Sequence, residues 1–367
     1  MKRILPWALR ILIALSLAFL GAGAVMLLRG EHHKIMPMWS GAMLCLAIAS
    51  GGFSRSRRWA FFIWLNSAVV IGMTFPSWFI SVGDFKLTRL FMPLLQLIMF
   101  CMGTTLSVSD FARVVRMPAA VLVGVACQFV IMPLLGFALA KASGFPPEVG
   151  AGIVLVGSVP SGLASTVMVY LAKADVALSV TLTAITSLLA PVITPFMMQW
   201  LAGEMVQIDA GKLMWDLTKM TVIPVLAGLA WNHFMQNRAK WLTRVMPYFS
   251  ILGILAMTLL TIAIGRDNLL RLGVTLIGVC FLHSTTGYLL GYLVCRSLRM
   301  RETTCRTIAF EVGMQNAGMA SAVAASLNKV ATLGLAPIVF GPVMNITASC
   351  LANWWRARST EQQPPGD

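Results

Sequence analysis

The chain has 367 residues, of which 58% are hydrophobic and only 11% are charged, and its mean hydropathy is +0.82. This composition excludes an ordinary soluble domain and predicts a polytopic membrane protein, because lipid must solvate so apolar a chain. The net charge of +15 comes from basic residues scattered between apolar segments, which indicates orientation in a membrane and no nucleic-acid partner. The seven cysteines lack spacings such as C-x-x-C, so we expect neither disulfides nor zinc.

Apolar segments follow one another along nearly the whole chain. The first, Ile11–Leu28, is long enough to cross a bilayer, and we interpret it as a retained span rather than a signal peptide. With a short second segment at 38–52, the pattern predicts about twelve spans. The other ten lie at 60–83, 90–108, 118–140, 149–172, 176–202, 214–235, 247–265, 272–295, 304–327 and 331–355.

The distribution of Lys and Arg predicts the orientation of these spans. Cytoplasmic loops are enriched in basic residues, and alternate assignment of the loops places both termini and the group Arg55, Arg57 and Arg58 in the cytoplasm. The predicted units are a two-span N-terminal extension (1–58), a first five-helix unit (59–202), a connecting loop (203–213), a second five-helix unit (214–355) and a disordered cytoplasmic tail (356–367).

Two short matches indicate that the five-helix units are copies of each other. Residues 134–137 (LLGF) recur as 289–292 (LLGY), and 162–165 (GLAS) recur as 318–321 (GMAS), at nearly equal offsets. An odd number of spans per copy inverts the second copy relative to the first. Secondary transporters with this architecture bind substrate near the membrane midplane.

Both copies are interrupted at corresponding places. The first contains Gly157–Gly162 (GSVPSG), and the second contains Glu311–Asn316 (EVGMQN). Proline removes a backbone donor and glycine permits unwinding, so we predict two discontinuous helices. Unwound backbone is tolerated at this depth only where it lines a cavity or binds an ion, so the paired interruptions predict a transporter site. A structural helix kinked by proline would explain the first interruption alone.

Glu311 is the first candidate functional residue. An ionisable side chain near the bilayer centre costs about 2.5–3.5 kcal/mol on insertion scales, so it is retained mainly where it faces protein or water. The alternative is that Glu311 lies near the interface and pairs with Arg306.

Four stretches, in order along the chain, resemble the bile acid:sodium symporter family: 128–133 (QFVIMP), 160–166 (PSGLAST), 171–179 (LAKADVALS) and 311–318 (EVGMQNAG). The resemblance covers residues 61–355, and the EVGMQN run is its most specific part. The family's bacterial members include transporters of pantothenate precursors. The resemblance implies an inner-membrane protein with a core of ten helices, crossed discontinuous helices, and two domains that move against each other.

The resemblance also implies two sodium sites behind the crossing. The first would use side chains of both copies, with threonine where the family usually has asparagine: Ser165, Thr166, Ser179, Thr183 and Glu311. The second would combine side chains with two backbone carbonyls: Gln128, Glu311 and Gln315, with Val312 and Met314. Neutral oxygens and one carboxylate suit a small hard cation. Sodium is the expected coupling ion, and no cofactor is expected.

For a small carboxylate, the resemblance further implies substrate contacts at the N-terminal ends of the half-helices, where unpaired N–H groups attract an anion. Asn316 is the first candidate, followed by Ser161 and Asn345. We therefore predict a sodium-coupled symporter of an organic anion, either a small carboxylate such as pantoate or ketopantoate or a bile-acid-like amphipathic acid. The expected partners are this anion, sodium and the lipid bilayer, with no obligatory protein partner.

Three alternatives remain at this stage. A sodium-independent or proton-coupled transporter would use Glu311 as a titrating group. A membrane sensor would bind the anion without moving it. An intramembrane enzyme is disfavoured because the sequence shows neither a nucleophile with a partnered base nor a metal motif such as H-E-x-x-H.

Overall fold

The computed structural model describes residues 6–28, 32–50, 60–107, 117–235 and 240–358. The predicted group Arg55, Arg57 and Arg58 and the tail beyond residue 358 lie outside these ranges. Nearly all of the described chain is helical, which confirms the predicted all-α polytopic class.

The first eight helices are α1 Pro6–Leu28, α2 His32–Ser50, α3 Ala60–Thr74, α4 Phe91–Gly103, α5 Pro118–Ser143, α6 Pro147–Ser158, α7 Leu163–Leu171 and α8 Val176–Ala202. The other six are α9 Ala210–Leu217, α10 Ile223–Met235, α11 Lys240–Ser297, α12 Glu302–Gly313, α13 Ala317–Ser326 and α14 Leu335–Arg356.

Among the described residues, five apolar helical stretches are long enough to cross a membrane: Pro118–Ser143, Val176–Ala202, Ala210–Met235, Tyr248–Ser297 and Leu335–Arg356. Most of the other predicted spans overlap a shorter apolar stretch: Arg10–Met26, Ile35–Ser50, Ile63–Thr74, Leu87–Gly103, Pro147–Ser158 and Ala317–Ser326.

The predicted span 60–83 is partly wrong, because α3 ends at Thr74. Pro76 follows, and a proline disfavours helical backbone in the residue before it. A 3₁₀ turn, Pro76–Phe79, then leads into a small antiparallel hairpin of β1 (Ser81–Val82) and β2 (Phe85–Lys86).

The N-terminal extension forms a pair of helices packed on the rest of the protein. Helix α1 lies along α2, and α2 lies along α3. The hydroxyls of Ser40 and Thr74 are 2.6 Å apart, and Ser67 Oγ donates to the Met43 carbonyl at 3.0 Å. Such hydrogen bonds help to join helices in lipid, where apolar surface alone gives little driving force.

Helices α4 and α10 approach each other through two glycines. A Cβ atom at Gly103 or at Gly228 would lie only 2.2 Å from a carbonyl oxygen of the other helix. A π-helical turn, Thr218–Val222, joins α9 to α10. Gln96 Nε2 of α4 donates to the carbonyl of Lys219 in that turn, at 3.1 Å, so a polar side chain satisfies the irregular backbone.

Helix α11 is continuous over 58 residues, where the sequence predicts separate spans at 247–265 and 272–295. A straight helix of this length would extend about 87 Å, roughly three times the hydrocarbon thickness of a bilayer. Tyr288 Oη donates to the carbonyl of Met344 at 3.1 Å, and Ile254 lines a cavity together with the same methionine. The helix therefore bends back on itself, and the two predicted spans are its two arms, joined without a loop.

Both predicted interruptions are present, between α6 and α7 and between α12 and α13. Helix α5 packs on α6 as the second arm of α11 packs on α12. Each contact includes a glycine, Gly136 or Gly291, and the sequence repeat pairs these two positions. The division into copies at 59–202 and 214–355 stays a prediction that this matched packing supports.

Candidate functional site

The two interruptions meet at the centre of the site. Helix α6 gives way to extended backbone at Val159, and helix α12 does so at Met314. Ser161 and Gln315 form an antiparallel β-bridge, and the N–H of Asn316 donates to the carbonyl of Pro160 at 2.8 Å. Backbone groups that leave the helical pattern thus satisfy each other across the crossing, as burial away from water requires.

The side chain of Glu311, in the last turn of α12, lies at this crossing and is 2% exposed. Oε1 accepts hydrogen bonds from Ser165 and Ser179, each at 2.6 Å. Oε2 accepts one from Thr183 at 2.9 Å and a short one from Ser161. One carboxylate of the second predicted copy is therefore surrounded by four hydroxyls of the first.

The first predicted sodium set is brought together by this arrangement. Thr166 completes it, with its hydroxyl 2.9 Å from that of Ser179. Ser161 was expected to contact substrate, but its hydroxyl is buried against Glu311 and Thr183. The sequence carries no signal for this placement, because only the pairing of the two interruptions turns Ser161 toward the carboxylate.

The structure contradicts the alternative in which Glu311 pairs with Arg306. Arg306 Nε instead donates to Glu302 Oε1 at 2.8 Å. A buried carboxylate with hydroxyl partners keeps a large desolvation cost that a bound cation would offset. The hydroxyls hold lone pairs that can turn toward such a cation, so the donor set suits a hard monovalent ion.

The second predicted sodium set is also partly assembled. Gln128 Nε2 donates to Gln315 Oε1 at 2.7 Å and to the Val159 carbonyl at 2.9 Å, while Gln315 Nε2 donates to the Val312 carbonyl at 2.6 Å. Gln128 Oε1 is buried and has no hydrogen-bond partner within the described part of the chain. Met314 is buried in the interruption beside these groups. A buried polar atom without a partner requires an explanation, and a bound ion is one such explanation.

Asn316 and Asn345 lie on the side of the crossing where substrate was expected. Both line a cavity of about 90 Å³ bounded by α4, the first arm of α11, α13 and α14. Asn316 Oδ1 caps α13 by accepting from the N–H of Met319 at 3.0 Å. Asn345 Nδ2 donates to the Gly341 carbonyl at 2.8 Å, whereas its buried Oδ1 has no partner among the described residues.

A second cavity, of about 440 Å³, also borders Asn345 and is lined by Thr166 and Thr183 of the first predicted sodium set. Asn345, Ala164 and Ile254 line both cavities. The predicted ion ligands and the predicted substrate contacts are therefore adjacent.

His283 lies opposite Gln128 in the sequence repeat but does not join the site. Its Nε2 lies 3.0 Å from the carbonyl of Met132, and its ring packs edge-on against Phe340. It serves as a helix–helix contact of α11.

Comparison with known proteins identifies the family of this chain. Residues 92–280 match the model of the sodium bile acid symporter family. A sodium-dependent transporter of Bacillus subtilis, YocS, itself uncharacterized, is 37% identical over 304 residues, which cover 83% of this chain and 92% of the relative. The chain belongs to the sodium bile acid symporter family.

Two further family members show how widely the resemblance extends. A probable chloroplastic sodium/metabolite cotransporter of Arabidopsis thaliana, BASS1, is 33% identical over 83% of this chain and 75% of its own length. The human ileal sodium/bile acid cotransporter is 31% identical over 63% of this chain and 67% of its own length.

Membership of this family decides between the alternatives left open by the sequence. The chain is a sodium-coupled, multi-pass membrane transporter and not an enzyme, and sodium is its coupling ion. The names of these three relatives do not mention a pantothenate precursor, so that part of the resemblance stays a prediction.

Proposed function

We propose that this member of the family symports sodium with a small hydroxylated carboxylate, and that Glu311 is its central sodium ligand. The observation that supports the proposal most strongly is the group of four hydroxyls around the Glu311 carboxylate. The five oxygen-bearing side chains come from α7, α8, α12 and the first interruption. A cation bound among them would hold both interruptions in one arrangement.

The first sodium would be held by the hydroxyls of Ser165, Ser179 and Thr183 with Glu311, and Thr166 and Ser161 would complete the set. The second would be held by Gln128 Oε1 with Gln315 and the carbonyls of Val312 and Met314. The β-bridge between Ser161 and Gln315 links the two sets, so occupancy of one would favour the other.

The cavity beside Asn316 supports a small hydroxy acid as the substrate. The hydroxyls of Thr258 and Thr261 donate to carbonyls of their own helix, at 2.9 and 2.6 Å, so their lone pairs are left to accept from a ligand. Asn345 Oδ1 is a further acceptor. The N-terminal turn of α13 favours a carboxylate, and the side chains of Met257 and Ile338 form part of the apolar lining of the cavity.

A ligand with a carboxylate, hydroxyls and a compact apolar centre fits this combination. Pantoate has all three features, and ketopantoate lacks one hydroxyl. A bile-acid-like amphipathic acid would need the larger second cavity as well. We further propose that the protein lies in a bacterial inner membrane with both termini in the cytoplasm and takes the anion up.

Thermal unfolding of the detergent-purified protein tests this proposal. The unfolding temperature is compared in sodium and potassium chloride, each with pantoate, ketopantoate, pyruvate or taurocholate. A ligand that binds only the folded state adds about 2.7 kcal/mol of stability at a hundredfold excess over its Kd. We expect a sodium-specific rise that pantoate enlarges most.

The variant Glu311→Gln should lose the sodium-specific rise, while Glu204→Gln, a matched change on an exposed turn, should keep it. Equal stability of the wild type in both salts would contradict the sodium site. An anion that stabilises the protein equally in both salts would contradict coupling between sodium and substrate.

A further inference from the structure

Helix α12 contacts α8 at two successive turns with the same spacing. The Thr307 hydroxyl accepts from the N–H of Asp175 at 2.9 Å. Its single proton is shared between two backbone carbonyls, that of Thr303 in its own helix at 2.9 Å and that of Asp175 at 3.2 Å. Four residues later on both helices, Ser179 donates to Glu311. From the first pair to the second, the residue number rises by four on both helices. The two helices therefore run in the same direction here, in a single register.

Asp175 is well suited to fix this register, because it is the N-cap residue of α8. Its Oδ1 accepts from the N–H of Leu178 at 3.0 Å, and its backbone φ and ψ are extended. Thr307 of α12 therefore binds the backbone of Asp175, and the side chain of Asp175 caps the first turn of α8. Any displacement of Thr307 along α12 is transmitted to the start of the helix that presents Ser179 and Thr183.

Arg306, the neighbouring residue on α12, fixes two more helix ends. Its buried guanidinium donates to the carbonyl of Ala172, at the end of α7, and to that of Trp355, in the last turn of α14, at 3.4 and 3.2 Å. A cation is favoured at both places because helix C-termini bear partial negative charge. Its ion pair with Glu302 balances the charge, and Tyr292 Oη donates to that glutamate at 2.9 Å.

These contacts join the helices that present the ion and substrate groups. Helix α7 bears Ser165 and Thr166, α8 bears Ser179 and Thr183, and α14 bears Asn345. All three are fixed to α12 within one and a half turns of Glu311. A slip of α12 by one residue would move the carboxylate about 1.5 Å along the axis and rotate it by about 100°, away from its hydroxyl partners.

We propose that Thr307 and Arg306 are positioning residues for sodium: they hold α12 in register with α8 and α7, so that the Glu311 carboxylate and its hydroxyl partners form one ion site. The proposal rests on Glu311 being the sodium ligand. Neither side chain contacts the ion. Each acts by orienting the groups that do, and loss of such orienting partners typically costs about 10–100-fold in metal affinity.

The test compares Thr307→Val with Thr307→Ser in the full-length purified protein. Valine keeps the shape of threonine but cannot pair with Asp175, whereas serine keeps the hydroxyl. The readout is the sodium concentration that gives half of the maximal rise in unfolding temperature, at constant ionic strength set with potassium chloride. Thr285→Val is the matched control, since that exposed hydroxyl donates only to its own helix.

We expect Thr307→Val to raise the half-saturating sodium concentration about tenfold, the lower end of the range for residues that orient metal ligands. Thr307→Ser and Thr285→Val should stay near the wild type. Arg306→Lys should also raise the half-saturating sodium concentration. Lysine retains the charge beside Glu302 but lacks the planar set of donors of the guanidinium. If Thr307→Val does not fold, the positioning proposal is tested by comparing the half-saturating sodium concentration of Arg306→Lys with that of the exposed change Arg299→Lys.

A lower unfolding temperature for Thr307→Val without sodium, with unchanged half-saturation, would show a purely structural role and overturn the proposal. The same holds if both Arg306→Lys and Arg299→Lys keep the wild-type half-saturation. A wild type with no sodium-specific rise would instead contradict the proposed function itself. The two failures are therefore distinguishable.

Discussion

At the scale of single residues, the decisive feature is the buried carboxylate of Glu311, which does not pair with the arginine on its own helix. Arg306 is bound to Glu302, and Glu311 is left with hydroxyls. Hydroxyl groups can hold a carboxylate in place while remaining free to reorient their lone pairs. The hydroxyls reduce the cost of burying the carboxylate but do not cancel its charge. The site therefore favours a bound cation.

Glu148 gives a prediction at a distance from the transport site. It lies in the first turn of α6, before the predicted span, and Lys329 and Thr332 from the α13–α14 connection bind its carboxylate. These hydrogen bonds lower the pKa of Glu148 from its usual value of 4.5. A lowered pKa means that the folded state favours the ionised form, so the contribution to stability is present at neutral pH and is lost as pH falls through the lowered value.

We expect Glu148→Gln to lower the unfolding temperature at pH 7.5. The loss in free energy of unfolding should stay within about 1 kcal/mol, because the pair is partly exposed. The difference from the wild type should shrink as the pH falls below 4.5. Unfolding temperatures measured across this range check it, with Glu204→Gln as the control. A difference that does not change with pH would mean that the loss comes from packing rather than charge.

The sequence could predict most residues around Glu311, because a charged group inside an apolar segment and serines and threonines at helical spacing are visible without a structure. It could not predict that Ser161 joins them, since that depends on two distant segments pairing as extended backbone. The contact between Thr307 and Asp175 could not be predicted for the same reason. Neither stands out in its own segment.

At the scale of elements, close approach of helices determines the packing. Gly103→Ala should destabilise the protein by about 1–3 kcal/mol, the usual cost of overpacking, because its Cβ would lie 2.2 Å from the backbone oxygen of Val225. Gly278→Ala in α11 is the control, since no atom of a described residue lies within 4 Å of its added Cβ. Chemical or thermal unfolding of both variants checks this, and equal stability of the two would contradict the packing account.

Discontinuous helices were the most predictable elements, because proline, glycine and clustered polar residues mark both interruptions. The connection between the arms of α11 was less predictable. Residues 265–268 (GRDN) have the composition of a loop, yet the helix continues through them. Arg266 Nε donates to the carbonyl of Met73 at 2.8 Å, and Asn268 Nδ2 donates to that of Ala331 at 2.6 Å. Tertiary hydrogen bonds therefore hold polar residues in a helical bend.

At the scale of the whole molecule, the proposed coupling follows from the shared crossing. The interruptions pair with each other. One side of the pair faces the proposed ion ligands, and Asn316 lines the cavity. Sodium at Glu311 would order the pair and thereby prepare the cavity for the anion. In this account, sodium and substrate bind to one backbone arrangement from opposite sides.

The most direct test of this central claim is uptake into proteoliposomes of the anion that stabilises the protein most. A sodium gradient is imposed at equal pH on both sides, and the membrane potential is clamped with potassium and valinomycin. We expect uptake to require the inward sodium gradient and to be lost in Glu311→Gln. Equal uptake with choline in place of sodium, or uptake driven by a pH gradient alone, would contradict sodium coupling at Glu311.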